Sequence, residues 1–571
     1  MNTTLHDRQV DDDTKPGDIA PAGASPSVPG RFVGGGRLGW TVAAVVAAVL
    51  VAVPVLMLAA SILNPSGDVW AQQWRTGLPG ELRDTALLLV GVAVGTVVLG
   101  SGLAWLVSAY QFPGSRQFGW MLILPLAVPS YILGFLTLST VGQTGPVQDW
   151  WRDRFGQDAW FPSVESLGGA IVTFTLVMYP YVYLLARAAL RDQASGAYQA
   201  ARTLGATRAE ASRRIVLPLV RPAVAAGAAI VIMETLTDFA TVTYFGVDTV
   251  SVGVFQIWRG TYDRDAASEI ATLVLAFALL AIGLERVARG RARFSQSTSA
   301  GAGIEPIRLR GARAALATGT CVALLLAAFV GPVVRLVLWA VQEQRSDRGT
   351  PQTDQFGGYL ANSLQLVAFT VVVCITVAVV LSNAQRFGRP RVTRLATRVT
   401  AMGYAVPGPV VAIGVILAVV GFDQLLGRIG LELPGAVRTG SLLILVYAYA
   451  VRFLAPGLTA VESGIGQISD EVTASARTLG ANTFETARRV HLPLTRSSLL
   501  AATVLVGVDA LKELPIVLLL RPFGFDTLPV WVYNLASESR FQQAALPALS
   551  IILVALLPVA VLARRLDRPE R

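Results

Sequence analysis

The chain has 571 residues, 53% of them hydrophobic and 15% charged, with a formal net charge of +10. That balance excludes a soluble globular protein of this size, and no GxxxxGK[ST] phosphate loop is present for the chain to hydrolyse ATP itself. The positive charge is nearly all arginine, with Lys15 and Lys512 the lysines; its grouping between apolar runs points to membrane topology rather than to nucleic acid.

Residues 1–37 are polar, carry Asp11-Asp12-Asp13 and then run rich in Pro, Gly and Ser, the composition of a disordered tail. Apolar runs of about the 20 residues that a helix needs to cross a bilayer follow along the whole length. They predict spans at 38–63, 82–110, 117–141, 167–190, 222–246, 269–288, 314–341, 361–383, 399–420, 438–461, 497–520 and 541–563. Runs such as "WTVAAVVAAVLVAVPVLMLAA" do not alternate as barrel strands do, so the expected fold is all-α and polytopic, with about 12 transmembrane helices. Twelve spans put both termini on one side. Arg202, Arg208, Arg213, Arg214, Arg386, Arg389, Arg477, Arg488 and Arg489 fall in the loops of that side, while Arg75, Arg259 and Arg428 are among the few opposite. The positive-inside rule makes the arginine-rich side, with both tails, cytoplasmic. Cys321 and Cys374 fall in apolar spans, so a disulfide framework is not expected. His6 and His491 give no metal-ligand spacing.

The sequence repeats itself. "AARTLGATRAEASRRIVLPL" (200–219) is echoed by "SARTLGANTFETARRVHLPL" (475–494), 275 residues on. "LAVPSYILGF" resembles "YAVPGPVVAI", "METLTDF" lies opposite "VDALKEL", and "FGVDT" opposite "FGFDT". The expected organisation is a first half at 38–288, a linker at 289–312, a second half at 313–563 in the same orientation, and a tail at 564–571.

In each echo a glycine, Gly205 or Gly480, is placed to end a helix in the left-handed conformation, and a proline, Pro218 or Pro493, to stop or turn the next one. A single such loop also reads as an amphipathic surface helix with arginines snorkelling to headgroups; two copies at one spacing favour a shape that fits another protein. The phrase resembles the EAA loop (EAA-x3-G-x9-I-x-LP) of permease subunits in bacterial binding-protein-dependent ABC importers. Ala200, Ala201, Gly205, Ile215 and Pro218 match in the first copy, at about 191–221, and Ala476, Gly480, Val490 and Pro493 in the second, at about 462–496. The resemblance implies a type I importer permease fold and two copies of a cytoplasmic ATPase subunit docked on the loops. It also implies an extracytoplasmic substrate-binding protein, a place in the bacterial inner membrane, and no cofactor in this chain, ATP and Mg²⁺ belonging to the ATPase. The family's Glu is Gln199 in one copy and Ala474 in the other, which leaves Arg202 and Arg477 as the charged candidates there. Two loops in one chain resemble a fused pseudo-dimer.

Ionisable residues inside spans are costly and usually line a pathway. Glu234 and Asp238 are spaced i,i+4 in one span; Asp509 and Glu513 repeat the pattern 275 residues on, beside Lys512. Under pseudo-two-fold symmetry the four acids ring one axis, as hard ligands for a highly charged cation, here in transient contact rather than as a stable metal site. The structural alternative pairs them with Lys512 or arginines, or has them cap a broken helix near Pro515. Tyr179, Tyr181, Tyr447 and Tyr449 are further pathway candidates, though tyrosines are ordinary in membrane helices. The phrases "ETLTDFATVTYFGVDT" and "KELPIVLLLRPFGFDTLPVWVY" resemble the fused ferric-iron permeases, which implies Fe³⁺ as cargo. The fused thiamine permeases share the two-half plan and are the alternative. An ion-coupled secondary transporter leaves the echoes unexplained, and a membrane enzyme lacks a catalytic cluster in the sequence.

Overall fold

The computed structural model describes residues 34–61, 67–192, 194–261, 264–289, 306–345, 352–431, 434 and 441–567. The expected N-terminal tail up to position 33, residues 290–305 of the expected linker and residues 568–571 lie outside the described residues. Among the described residues nine helices are long and apolar enough to cross a membrane. Two bent pairs, Ser115–Ala127 with Ser130–Phe155 and Thr483–Leu494 with Arg496–Lys512, and the shorter apolar helix Ala266–Ala281 stand at the other expected spans.

Four expected spans are not continuous helices, and the breaks fall at matching places in the halves. The spans 117–141 and 399–420 both break before a proline. Val128 (φ −91°, ψ 115°) and Val406 (φ −90°, ψ 125°) are extended, and new helices start after Pro129 and Pro407. A proline pushes the residue before it out of the helical region, and that produces the break. The spans 222–246 and 497–520 end at Thr237 and Lys512 and resume as the short helices Phe239–Tyr244 and Pro515–Leu520. Non-helical backbone within a membrane bundle is tolerated where it lines a cavity and its polar groups find partners.

The first helix of each half packs on the other half. Gly34–Ser61 lies along the second half: Trp40 Nε1 donates to Thr483 Oγ1 at 3.0 Å, and Tyr447 OH to Leu50 O at 2.5 Å. Gly311–Leu325 buries Ala314, Ala317 and Cys321 among Leu103, Phe118 and Ala186 of the first half. Beyond it, Arg335 donates to Ser139 O at 3.1 Å. This exchange buries apolar surface between the halves and fixes their relation. Tyr110–Gln111 pairs in parallel with Ile307–Arg308, an element that the apolar pattern does not announce. Both cysteines are free and buried.

Candidate functional site

The breaks bring the four acids together. Glu234 lies in the last turn of the helix Leu217–Thr237 and Asp509 in the last turn of the helix Arg496–Lys512; Asp238 and Glu513 sit in the breaks that follow. All four line one cavity of about 100 Å³ between the halves. The walls are also paired by symmetry. Val177, Met178, Thr237 and Leu126 of the first half face Arg452, Phe453, Lys512 and Tyr404 of the second.

The expectation that each pair shares a helix face is corrected. Asp238 and Glu513 are caps of broken helices, the alternative foreseen near Pro515. Asp238 Oδ1 accepts from Thr241 N at 2.9 Å and its other oxygen from the Thr241 hydroxyl; Glu513 Oε1 accepts from Ile516 N at 3.2 Å. Each carboxylate satisfies an N–H that the break orphaned. Glu234 and Asp509 do no such work. Arg452 Nη2 lies 3.8 Å from Glu234 Oε1, Arg452 Nε lies 3.5 Å from Glu513 Oε2, and Lys512 Nζ lies 3.5 Å from Asp509 Oδ1. Among the described residues no group of three or more His, Cys, Asp or Glu side chains is arranged to hold a metal ion.

Of the four candidate tyrosines only Tyr181 lines the cavity. Tyr179 donates to Leu122 O at 2.9 Å within a separate buried cluster, Tyr447 faces the first helix, and Tyr449 donates to the backbone O of Glu513 at 3.3 Å. Their alternation suggested equivalence, but "YPYVYL" and "YAYAVR" are not matched in the symmetry that pairs Val177 with Arg452. Tyr404 and Arg452 were not singled out from the sequence. An arginine inside an apolar run, in "YAYAVRFLAPGL", is the signal that marks Arg452.

The two echoes fold alike. The helices Ala194–Thr203, carrying Gln199, Ala200, Ala201 and Arg202, and Asp470–Thr478, carrying Ala476 and Arg477, each end at a left-handed glycine. Gly205 has φ 91° and Gly480 φ 90°. Ala206 N donates to Ala201 O at 3.0 Å and Gly205 N to Arg202 O at 3.2 Å; Ala481 and Gly480 do the same to Ala476 and Arg477 at 3.1 Å. These are paired Schellman caps, and they turn Leu204 and Leu479 outward, 88% and 87% exposed. Next comes a reciprocal cap, Thr207 with Glu210 and Asn482 with Glu485. Hydrogen bonds from Thr207 hold the Glu210 carboxyl below its ordinary value. Ile215 and Val490 lie half-buried in a wide π turn in both copies.

The role expected of the prolines is corrected in the first copy. Pro218 directly follows the π turn Ser212–Val216 within the unbroken span Ser212–Thr237, which it neither stops nor turns; the wider turn before it takes up the missing N–H. In the second copy Pro493 sits in the short helix Leu492–Leu494, and the chain bends by 78° before Arg496–Lys512. Arg202 Nη1 is turned back onto Ala206 O at 2.7 Å, so part of its charge serves its own loop.

The second loop has an anchor that sequence reading missed. His491 is buried, with Nδ1 2.7 Å from Asn383 Oδ1 and Nε2 3.1 Å from Thr473 Oγ1. Asn383 Nδ2 donates to Val379 O, so Oδ1 faces the ring and assigns the proton to Nδ1. Arg386 donates to Thr473 Oγ1 at 2.9 Å and to Ile465 O at 2.8 Å. This chain ties the helix Asp470–Thr478 to the helix Gln352–Phe387. The first half has Val216 where the second has His491.

A family model described as "Binding-protein-dependent transport system inner membrane component" matches the chain twice, at residues 96–286 and 374–569. Over 485 residues the chain is 23% identical to the "Fe(3+)-transport system permease protein FbpB 2" of Haemophilus influenzae, covering 84% of this chain and 89% of that one. It is 27% identical to the "Sulfate transport system permease protein CysT" of Salmonella typhimurium over 39% of this chain and 83% of that one. It is 28% identical to the "Molybdenum transport system permease protein ModB" of Escherichia coli over 33% of this chain and 85% of that one. The chain is a multi-pass membrane protein of two repeated halves, and it belongs to the family of inner-membrane components of binding-protein-dependent transport systems.

Proposed function

We propose that this chain is a two-half permease of an ABC importer for ferric iron, both halves carried by one chain. An extracytoplasmic binding protein delivers the cargo, and two copies of a separate ATPase subunit dock on the loops around Gly205 and Gly480. Both termini are then cytoplasmic. The observation that carries the cargo reading is the cavity between the halves, with four carboxylates against two cationic side chains. Hard oxygen donors suit a hard cation and repel oxyanions such as sulfate. The relative matched across both halves is named for Fe(3+), while the sulfate and molybdenum relatives match over about the length of one half. The paired caps, which present Leu204 and Leu479 as apolar handles beside arginines, support the docking reading. Six crossings separate the two loops, so one side of the membrane carries both.

The mechanism follows as alternating access. ATP-driven closure of the ATPase pair moves the two loops, the cavity opens outward to the binding protein, and on resetting the ion leaves inward. Glu234 and Asp509, which cap no helix, contact the passing ion. Asp238 and Glu513 keep the breaks in shape, and the second oxygen of Glu513, which faces Arg452, stays open to the ion.

The test is uptake of radiolabelled iron in a strain lacking the gene, complemented with the wild type or with a Glu234→Gln/Asp509→Asn variant, with thiamine and sulfate as control substrates. Iron uptake restored by the wild type and lowered at least about tenfold by the variant is expected, on the scale of a lost charge contact. Restoration of thiamine or sulfate uptake instead overturns the cargo.

A further inference from the structure

Arg452 reaches both halves. It projects from the helix Leu442–Gly466 of the second half and is almost fully buried. Its Nη1 donates to Val406 O of its own half at 3.0 Å, and its Nη2 to Thr237 Oγ1 of the first half at 3.3 Å. Glu234 of the first half and Glu513 of the second flank it at 3.8 and 3.5 Å, and Nε has no hydrogen-bond acceptor. The matching position of the first half, 275 residues earlier, is Val177, which lines the same cavity. The repeat that duplicates the pair of acids does not duplicate this cation.

We propose that Arg452 is a tethered counter-cation that latches the two halves across the cavity, and that a cationic cargo releases the latch by taking its place. The proposal rests on the reading of the cavity as the cargo route. Two carboxylates from opposite halves confront each other in a region of low dielectric, and without a cation between them they repel. The guanidinium supplies that cation. Its charged contacts lie beyond hydrogen-bond range, so it is held by Coulomb attraction and not locked in a bidentate pair. A multivalent ion entering between Glu234 and Glu513 competes for the same two carboxylates with a higher charge. Arg452 keeps its bond to Val406 O and stays with the second half, while its links to Glu234 and Thr237 part. An anion attracted to Arg452 meets four carboxylates first. The latch is therefore selective for the sign of the cargo.

The experiment uses the complete transporter, this chain with its ATPase and binding protein, in liposomes with ferric citrate as the probe. Arg452→Gln leaves the two carboxylates facing each other unpaired. It is expected to raise ATPase activity without binding protein by about fivefold or more, at the lower end of typical coupling between sites, and to let iron leak without ATP. Arg452→Lys, which keeps the charge, is expected to restore the low basal rate. Normal assembly of Arg452→Gln with wild-type basal ATPase and no leak overturns the latch. If Arg452→Gln fails to assemble, Glu234→Gln and Thr237→Val decide: each removes one first-half contact, and unchanged basal rates in both overturn the proposal. Loss of iron uptake in the acid variants, with basal ATPase unmoved by Arg452→Gln, keeps the cation route and sinks the latch. A raised basal ATPase with iron uptake indifferent to the acids supports the latch and sinks the iron reading.

Discussion

Val177 and Arg452 stand at matching positions of the two halves; one is an apolar wall and the other a buried cation. Thr237 and Lys512 differ in the same sense. Both halves supply two carboxylates, and the second supplies both cations. The loops show the same division. The Schellman caps at Gly205 and Gly480 make the same hydrogen bonds, while the second loop is tied inward through His491, Asn383, Thr473 and Arg386, where the first half has Val216 in place of His491. Fusion into one chain frees each half from being identical to its partner. The positions that set shape stay paired, and those that set charge and anchoring diverge.

The largest effect should come from breaking the feature the halves share. Valine in place of Gly205 or Gly480 forces a β-branched residue to φ near +90°, at a strain of about 1–3 kcal/mol. Binding-protein-stimulated ATPase should fall at least about tenfold with protein still in the membrane. Gly205→Val should be the more severe, since the second loop keeps its inward anchor. Equal losses would show that the anchor carries no load, and normal coupling in both would sink the docking reading.

Next is the anchor itself. His491→Val gives the second half the residue of the first and orphans the buried Asn383 Oδ1, at about 1–3 kcal/mol. The thermal midpoint of the purified chain should drop, while Ile215→Val, which gives the first half the residue at Val490, should leave it nearly unchanged. A third contrast lies at the breaks. Asp238→Ala and Glu513→Ala should each cost about 0.5–2 kcal/mol of stability. Glu513→Ala should cost more, because besides the bond from Ile516 it removes the carboxylate 3.5 Å from the buried Arg452, whereas Asp238→Ala removes only capping bonds from Thr241. Stability unchanged in both would deny the capping role. The smallest effect is expected from Trp40→Phe, which removes the bond to Thr483, where the first half has Arg208, at about 0.5–1.5 kcal/mol. A loss of ATPase coupling far beyond that would make the first helix part of the drive to the second loop.

Much of this was legible in the residues. The repeat, the helix-ending glycines and the four acids at one spacing are local patterns, and the structure places the acids around one cavity as symmetry required. Tyr181 lines the cavity as expected, but alternation in two apolar runs only looked like correspondence, and helical packing sends Tyr179 and Tyr447 away from the cavity. Asp238 and Glu513 were read as helix-face residues because nothing local marks the break at Asp238; in the second half Pro515 gave that sign.

By itself the sequence determined the class of protein, its two-fold plan and its loops, since hydrophobic length, charge grouping and glycine placement act within a few turns of chain. Tertiary structure alone decided that Arg452 serves both halves, that His491 anchors one loop, and that each half's first helix lies on the other. Those depend on which buried polar groups meet across hundreds of residues, and a buried charge takes whatever partner the packing brings within reach.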